Sequence, residues 1–205
     1  MAKERTMVAH RSSSPRRTPP RERRPPPPLD QAALERLALR YVERYATTRG
    51  KLVDYLRRKV RERGWEGTSS ADPEALADRH VAAGHVDDAQ YARAKTETLT
   101  RRGYGERRIA AALSSHRVGA EDRQAALDTL PEDGIAAALR LLQRRRLGPF
   151  ARSRGDEDAE RRTLGVLLRA GHDFAEARRA LALTEAQATA MIEEASARDA
   201  AAPWG

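Results

Sequence analysis

The sequence predicts an all-α fold, and three observations favour this class. Apolar residues recur at spacings of three and four along most of the chain after residue 30, and the alternating pattern of β-strands is absent. Alanine and arginine, both strong helix formers, are abundant. The 205 residues include only two Trp, two Phe and five Tyr, and 34% of them are charged. We therefore expect several small cores in stacked helical repeats instead of one large core.

The first 28 residues differ in composition from the rest. They contain eight Lys or Arg and two Asp or Glu, so they carry +6 of the formal net charge of +9. Seven prolines oppose helix formation, and few apolar side chains offset the entropy of ordering. This composition predicts a disordered basic tail. It is either an arm that binds free DNA phosphates without sequence preference or a solubilising extension.

Residues 29–86 are predicted to form a first three-helix repeat. Thr47 or Thr48 and Asp72 are expected N-caps, and Pro73 suits a first helical position. The expected helices lie near 31–46, 49–63 and 73–83.

Residues 87–133 are predicted to form a second, central repeat. Gly84 ends the preceding helix, and Asp87 with Gln90 three residues later resembles a capping box. The repeat closes at Pro131. The expected helices lie near 88–102, 105–116 and 120–129.

Within the central repeat, apolar spacing separates a core face from an exposed face. Tyr91 and Leu99 fall on the core side of the first helix, and Ile109 and Leu113 form an i, i+4 apolar pair on the second. Gly103 and Gly105 break the pattern between these helices. Arginines lie on both sides of that turn, so the predicted corner is strongly basic.

Residues 134–199 are predicted to form a third repeat with an additional C-terminal helix, and 200–205 a flexible end. The loop between its first two helices is longer than in the central repeat. A last amphipathic helix, from about Thr184, is expected to cap the stack. Phe174 is expected to fill the space that the polar His172 cannot. The other helices are expected near 134–147, 157–170 and 174–182.

Internal similarity supports the repeat prediction. A shift of 54 places residues 106–127 on residues 160–181 without a gap and aligns Leu113 with Leu167. A shift of 53 aligns Leu56 with Ile109 at a second apolar position. Alanine and arginine are common enough that part of this agreement arises by chance.

Two motifs in the central repeat resemble a known family. The stretch G-x-V-D-D-x-x-Y-A-R begins at Gly84, and R-x-G-Y-G-x-x-R-I ends at Ile109. Both are similar to the central signature of the RecX family of bacterial recombinase regulators, and the similarity extends over roughly residues 31–195. The third repeat is degenerate. In the central repeat, Arg117 replaces a glycine that is common before the third helix.

The resemblance implies a function and a set of partners. RecX proteins are expected to lie in the groove of a RecA filament and to suppress its ATPase, strand-exchange and coprotease activities. The implied partners are the RecA filament and the single-stranded DNA within it, and no cofactor is implied. A DNA-binding protein that acts without a recombinase and a helical protein-interaction scaffold remain alternatives.

Charge in the folded region is patterned more than it is excessive. Outside the tail, 31 Lys or Arg oppose 28 Asp or Glu, which leaves +3. Dense basic groups recur once or more in each predicted repeat, so they form either a binding stripe or ordinary solvated helix faces. The predicted contact residues for the filament or its DNA are Lys51, Arg57, Arg93, Arg101, Arg102, Arg107 and Arg108. The residues predicted to hold the central repeat in shape are Gly84, Asp87, Asp88, Tyr91, Ala92, Gly103, Gly105, Ile109 and Leu113.

No pattern in the sequence supports an enzyme or a metal site. Adjacent side chains such as Asp87 and Asp88 diverge by about 100° on a helix, so capping explains them better than a metal clamp. His80 and His85 lack a third zinc ligand at a suitable spacing. Ser114, Ser115 and His116 have no nucleophile elbow, and Gly103-x-Gly105 follows no strand.

The expected location and assembly follow from further absences. The chain has no cysteine, no apolar run long enough for a membrane span and no signal-peptide pattern. We expect a soluble cytoplasmic monomer that does not associate with membranes.

Overall fold

A computed structural model describes residues 27–152 and 156–201. Its regular structure in these ranges is ten α-helices and one 3-10 turn (Gly148–Phe150), without a β-strand, so the predicted all-α class is confirmed. Residues 1–26 of the predicted tail and 202–205 of the predicted end lie outside the described residues. The helices are α1 (Gln31–Arg44), α2 (Arg49–Arg63), α3 (Pro73–Ala82), α4 (Asp88–Arg101), α5 (Glu106–Ser115), α6 (Ala120–Leu127), α7 (Ile135–Arg145), α8 (Glu157–Arg169), α9 (Phe174–Ala182) and α10 (Glu185–Ala201).

Short polar residues begin the helices where the sequence predicts them. The backbone N–H of Lys51 donates to the Thr48 hydroxyl at 3.1 Å, so Thr48 caps α2. Asp72 and Asp87 accept equivalent bonds at the starts of α3 and α4, and Pro73 is the first residue of α3. These caps satisfy N–H groups that a helix leaves without internal partners.

The helices pack in three consecutive groups, each around its own apolar core. The first group (α1–α3) encloses Leu34, Leu52 and Leu56. The last group (α7–α9), with α10 packed on α7, encloses a set that includes Leu139 and Leu167. The central group (α4–α6) has a smaller buried set, made of Ala92, Ile109, Leu113, Val118 and Ala126. Because burying one large aliphatic side chain contributes about 1.5–3 kcal/mol, the central group depends most on its neighbours.

The segment before α1 is tied to the end of α2. Leu29 is fully buried, its N–H donates to the Gly64 carbonyl at 3.0 Å, and its carbonyl accepts from the Glu66 N–H at 2.8 Å. The Arg63 guanidinium donates to the Pro27 carbonyl. Pro27, which composition assigns to the tail, therefore contacts the folded region.

The first and central groups meet where the α1–α2 corner contacts the α5–α6 corner. The Thr48 hydroxyl donates to the His116 carbonyl at 2.5 Å. The Arg117 side chain lies against Gly50, where there is no room for a β-carbon, and its guanidinium is 3.2 Å from the Asp54 carboxylate. Arg117 adopts the left-handed conformation (φ +60°) expected of the glycine that it replaces.

The central and last groups meet through backbone contacts. The Gly105 N–H donates to the Ala170 carbonyl at 3.0 Å, and the Arg107 N–H donates to the Gly171 carbonyl at 3.3 Å. Gly103 is left-handed (φ +80°), and a β-carbon there would lie 2.7–2.8 Å from backbone atoms of α7. The α4–α5 corner therefore fits its neighbour only because glycine removes the side chains.

The prediction for Phe174 is wrong. Its side chain is 60% exposed, whereas His172 is fully buried at the junction of the central and last groups. The His172 Nε2 lies 3.1 Å from the Gly103 carbonyl, so a protonated Nε2 donates to it. A partner for its polar ring lets His172 occupy the position expected of an apolar residue, and no space remains for Phe174 to fill.

The final helix packs as the sequence predicts. Ala188 and Ala195 are buried on one face of α10, and Met191 and Ile192 are partly buried against the last core. This face covers the apolar side of α7, which closes the last group. None of the helices in the described ranges has both the length and the apolar character that a bilayer crossing requires.

Replacing Gly103 with alanine should destabilise the protein by roughly 2–5 kcal/mol. A left-handed alanine costs about 1–2 kcal/mol, and overpacking against the α7 backbone adds about 1–3 kcal/mol. Gly84→Ala is the matched control, because Gly84 is also left-handed (φ +72°) but a β-carbon there meets open space. Urea unfolding measures both variants. If both variants lose the same free energy of unfolding, the close packing of Gly103 against α7 does not contribute to stability.

Candidate nucleic-acid and protein interface

Five predicted contact arginines lie on the surface of the central group. Arg93 and Arg101 are on α4, Arg102 follows its last turn, and Arg107 and Arg108 are in the first turn of α5. All five side chains are exposed. Within the described part of the chain, none of them forms an ion pair. We call these residues the central arginine surface: Arg93, Arg101, Arg102, Arg107 and Arg108.

The arginines of the other groups are more often neutralised by nearby carboxylates. In the first group Arg49 pairs with Asp78 at 2.5 Å, and Arg79 pairs with Glu35 at 2.9 Å. The last group contains further exposed pairs, which are Arg161–Asp158, Arg178–Glu160 and Arg179–Asp133. Such pairs add little stability, but they cancel local positive charge. None of the five residues of the central arginine surface has such a partner, so their positive charge stays uncompensated within the described residues.

The two predicted contacts in the first group lie in different surroundings. Arg57 is on α2 and pairs with Glu74 of α3, so its charge is compensated within its own group. Lys51 is half-buried in the first turn of α2, beside the junction with the central group. Of the two, only Lys51 is placed by the structure near the central helices.

Lys95 is a basic residue that the sequence did not single out for contact. Burial lowers the pKa of His116, and the positive charges of Lys95 and Lys51 lower this pKa further. Lys95 lies on α4 and Lys51 on α2, so the charges that act on His116 come from both sides of the junction. The sequence does place Lys95 one helical turn after Tyr91, on the side of α4 that faces His116. The position of Lys51 could not be predicted in this way, because it depends on the tertiary contact between the first and central groups.

The residues predicted to hold the central group in shape occupy suitable positions. Ala92, Ile109 and Leu113 are fully buried in its core. The Tyr91 hydroxyl lies 2.8 Å from the His116 Nδ1, and burial raises the pKa of the Tyr91 phenol. This bond fixes the end of α5 against α4. Gly84, Gly103 and Gly105 all lie in turns.

The adjacent aspartates act at two different helix starts. Asp87 accepts from the Gln90 N–H at 2.7 Å and caps its own helix, α4. Asp88 accepts from the Arg49 N–H at 2.7 Å and so binds the first turn of α2, in the neighbouring group. Burial raises the pKa of Asp88 above its ordinary value, as do the nearby Asp122 and Asp87 carboxylates, while the Arg49 N–H opposes the shift.

The histidines and serines that could bind a metal or act in catalysis are engaged in structural contacts. The Nδ1 atoms of His80 and His85 lie 3.0 Å apart, and within the described residues no cluster of three or more His, Cys, Asp or Glu could hold a metal ion. The Ser115 hydroxyl donates to the Ala112 carbonyl, while His116 faces Tyr91. This arrangement does not activate a serine nucleophile.

Replacing Asp88 with alanine should destabilise the protein by about 1 kcal/mol at neutral pH, because the Arg49 N–H at the α2 start loses its acceptor. Asp88→Asn should stay within about 0.5 kcal/mol of the parent, since an amide oxygen still accepts this bond and carries no charge into a half-buried site. Urea unfolding at neutral pH compares the two. If asparagine costs as much as alanine, the charge of Asp88 matters and not its role as an acceptor.

Comparisons with known proteins agree with the fold and its central motifs. The model of the second three-helix domain of RecX matches residues 87–127. The regulatory protein RecX of Myxococcus xanthus is 35% identical over 156 residues, which span 72% of this chain and 83% of that protein. The regulatory protein RecX of Thermus thermophilus is 38% identical over 109 residues, or 53% of this chain and 71% of that protein.

A solved structure supports the same fold. The crystal structure of RecX from Lactobacillus salivarius aligns with a TM-score of 0.55 at 15% identity, over 73% of this chain and 93% of that one. Together with the sequence identity to the Myxococcus xanthus protein across most of its length, the shared central motifs establish that this chain belongs to the RecX family.

Proposed function

We propose that this protein binds the RecA nucleoprotein filament and inhibits its ATPase, recombinase and coprotease activities, and thereby regulates DNA repair and the SOS response. Family membership supports a regulatory role, because relatives are named regulatory proteins. The observation that carries the proposal is the central arginine surface, whose exposed guanidinium groups form no ion pair in the described part of the chain. We also propose that the protein acts in the cytoplasm as a monomer.

The central arginine surface suits a filament of protein and nucleic acid. Guanidinium groups bind carboxylates and phosphates through paired N–H donors, and both anions are present where DNA lies within a recombinase filament. An arginine without an internal ion pair loses no existing partner when it binds. The surface can therefore contact acidic side chains of the filament, phosphates of its bound strand, or both.

Inhibition requires the protein to favour one filament state over another. A ligand shifts an equilibrium only by its difference in affinity for the two states. The junction between the first and central groups fixes Lys51 relative to the central arginines. A rigid helical body that contacts successive RecA subunits would bind best at one subunit spacing, and it would oppose the motion that accompanies ATP hydrolysis.

The basic tail supports a second function, which is DNA binding without RecA. Residues 1–28 carry +6, and such a segment binds phosphates through counterion release. In this case inhibition of RecA would follow from competition for single-stranded DNA. A variant that lacks residues 2–24 separates the two functions, because it removes all eight basic residues of the tail and keeps Pro27, to which Arg63 is bonded.

The test is single-strand-dependent ATP hydrolysis by the host RecA, titrated with each form of the protein. The full chain and the variant without residues 2–24 should both inhibit. Arg101→Ala combined with Arg107→Ala should raise the half-inhibitory concentration at least about tenfold, because contacts to charged groups contribute about 1.5–3 kcal/mol each.

The matched control is Arg161→Ala combined with Arg178→Ala, which removes the same charge from ion-paired positions. It should change inhibition less than about twofold. Unchanged inhibition by the Arg101 and Arg107 double variant would refute the role of the central arginine surface. If the variant without residues 2–24 no longer inhibits, the inhibition arises from competition between the tail and RecA for single-stranded DNA. If no form of the protein affects RecA, a scaffold role for another partner would replace the proposed function.

A further inference from the structure

The ends of α4 and α7 share one hydrogen-bond pattern. After α4, the Gly103 N–H donates to the Thr100 carbonyl at 2.8 Å, and the Tyr104 N–H donates to the Leu99 carbonyl at 3.1 Å. After α7, the Arg146 N–H donates to Gln143 at 3.1 Å, and the next N–H, of Leu147, donates to Leu142 at 3.0 Å. Arg146 therefore occupies the place that Gly103 has in the central group.

Both residues adopt the left-handed conformation, although only one is glycine. Gly103 has a φ of +80° and Arg146 a φ of +54°. A β-carbon strains this conformation, and glycine would make the same backbone bonds without strain. Strained backbone persists mainly where the side chain has a function. The Arg146 side chain therefore needs an explanation beyond helix termination.

The surroundings of the two corners differ as well. The α4–α5 corner is covered by the last group, which leaves no space for a side chain at Gly103. At the α7 end, the Arg146 side chain is exposed and lines an open cavity of about 460 Å³ between this corner and α10. We call it the α7 cavity, and its lining residues are Gln143, Arg146, Phe150, Ala151, Arg152, Glu185 and Thr189.

The lining of the α7 cavity suits a phosphate group. Arg146 and Arg152 supply guanidinium donors, and neither forms an ion pair within residues 27–152 and 156–201. The Gln143 amide and the Thr189 hydroxyl also line the cavity and provide neutral donors. The α7 end adds further positive charge through Arg144 and Arg145, which are also exposed.

Other features favour a nucleotide unit over a lone phosphate ion. The cavity volume falls within the range of about 300–1,000 Å³ that is typical of small-molecule sites. The half-buried Phe150 ring gives the wall an apolar surface on which a base can stack. The Glu185 carboxylate is the one lining group that repels an anion.

We propose that the α7 cavity binds a phosphodiester group of single-stranded nucleic acid, at a site separate from the central arginine surface. Unpaired guanidinium groups beside an aromatic ring are the usual elements of single-strand recognition. The site acts without RecA. Its test therefore succeeds or fails independently of the proposed inhibition of the filament.

The test measures the anisotropy of a fluorescent oligo(dT) of about 20 nucleotides, titrated with the full chain at several salt concentrations. Arg146→Gly combined with Arg152→Ala should weaken binding roughly tenfold. It should also reduce the slope of log K against log salt by about 1.4, since each lost single-strand phosphate contact contributes about 0.7. Glu185→Gln should tighten binding about twofold, because it removes the repelling carboxylate.

Folding is controlled within the same set of variants. Arg146→Gly removes the cation but relieves the left-handed strain, so its melting temperature should equal or exceed that of the parent. Arg161→Ala combined with Arg178→Ala removes the same net charge elsewhere in the last group. The tail is common to all variants, so its contribution to binding cancels in the comparison.

Two outcomes would overturn the proposal. The first is an affinity and a salt slope of the Arg146 and Arg152 double variant that match those of the control pair. The second is that the double variant binds oligo(dT) as the parent does but loses binding to labelled poly-glutamate. The α7 cavity would then be a site for acidic peptides.

Discussion

The fold depends on one recurring contact, in which the corner between two helices packs against the backbone of the next helix group. At the central and last groups this contact consists of hydrogen bonds from Gly105 and Arg107 to the α8–α9 corner, with Gly103 against α7. Because backbone approaches backbone, no bulky side chain fits between them. The first and central groups meet in a related way through Thr48 and His116. Three small cores are thereby joined without a shared large one.

This construction explains why the central group can carry so much uncompensated charge. Its own core is small, and its position is fixed by contacts on both sides. The Asp88 carboxylate binds the start of α2, while the glycine corner binds the last group. The faces of α4 and α5 that remain exposed need few ion pairs for stability, because surface pairs contribute little. The central arginines are therefore available for an external partner, which is the role that the proposed function assigns to them.

Local chemistry made most of the fold predictable. Each predicted helix boundary lies within two residues of the observed one, because caps such as Thr48, Asp72 and Asp87 and the apolar spacing are encoded locally. Tertiary contacts could be predicted less well from the sequence. The sequence did not reveal that Asp88 binds the Arg49 N–H or that Arg57 pairs with Glu74. His172 was misjudged because its hydrogen-bond acceptor is 69 residues away. Arg146 was not recognised as left-handed, because that conformation normally identifies glycine.

Amide hydrogen exchange at Gly105 tests the docking of the corners most directly. Its N–H is bonded across the junction to Ala170, whereas the N–H of Leu113 lies within a helix of the central core. If docking joins the groups into one cooperative unit, both amides should show the same protection and the same dependence on denaturant. Rapid exchange at Gly105 beside a protected Leu113 would show that the groups open independently. The corner contacts would then not hold the central arginines in place.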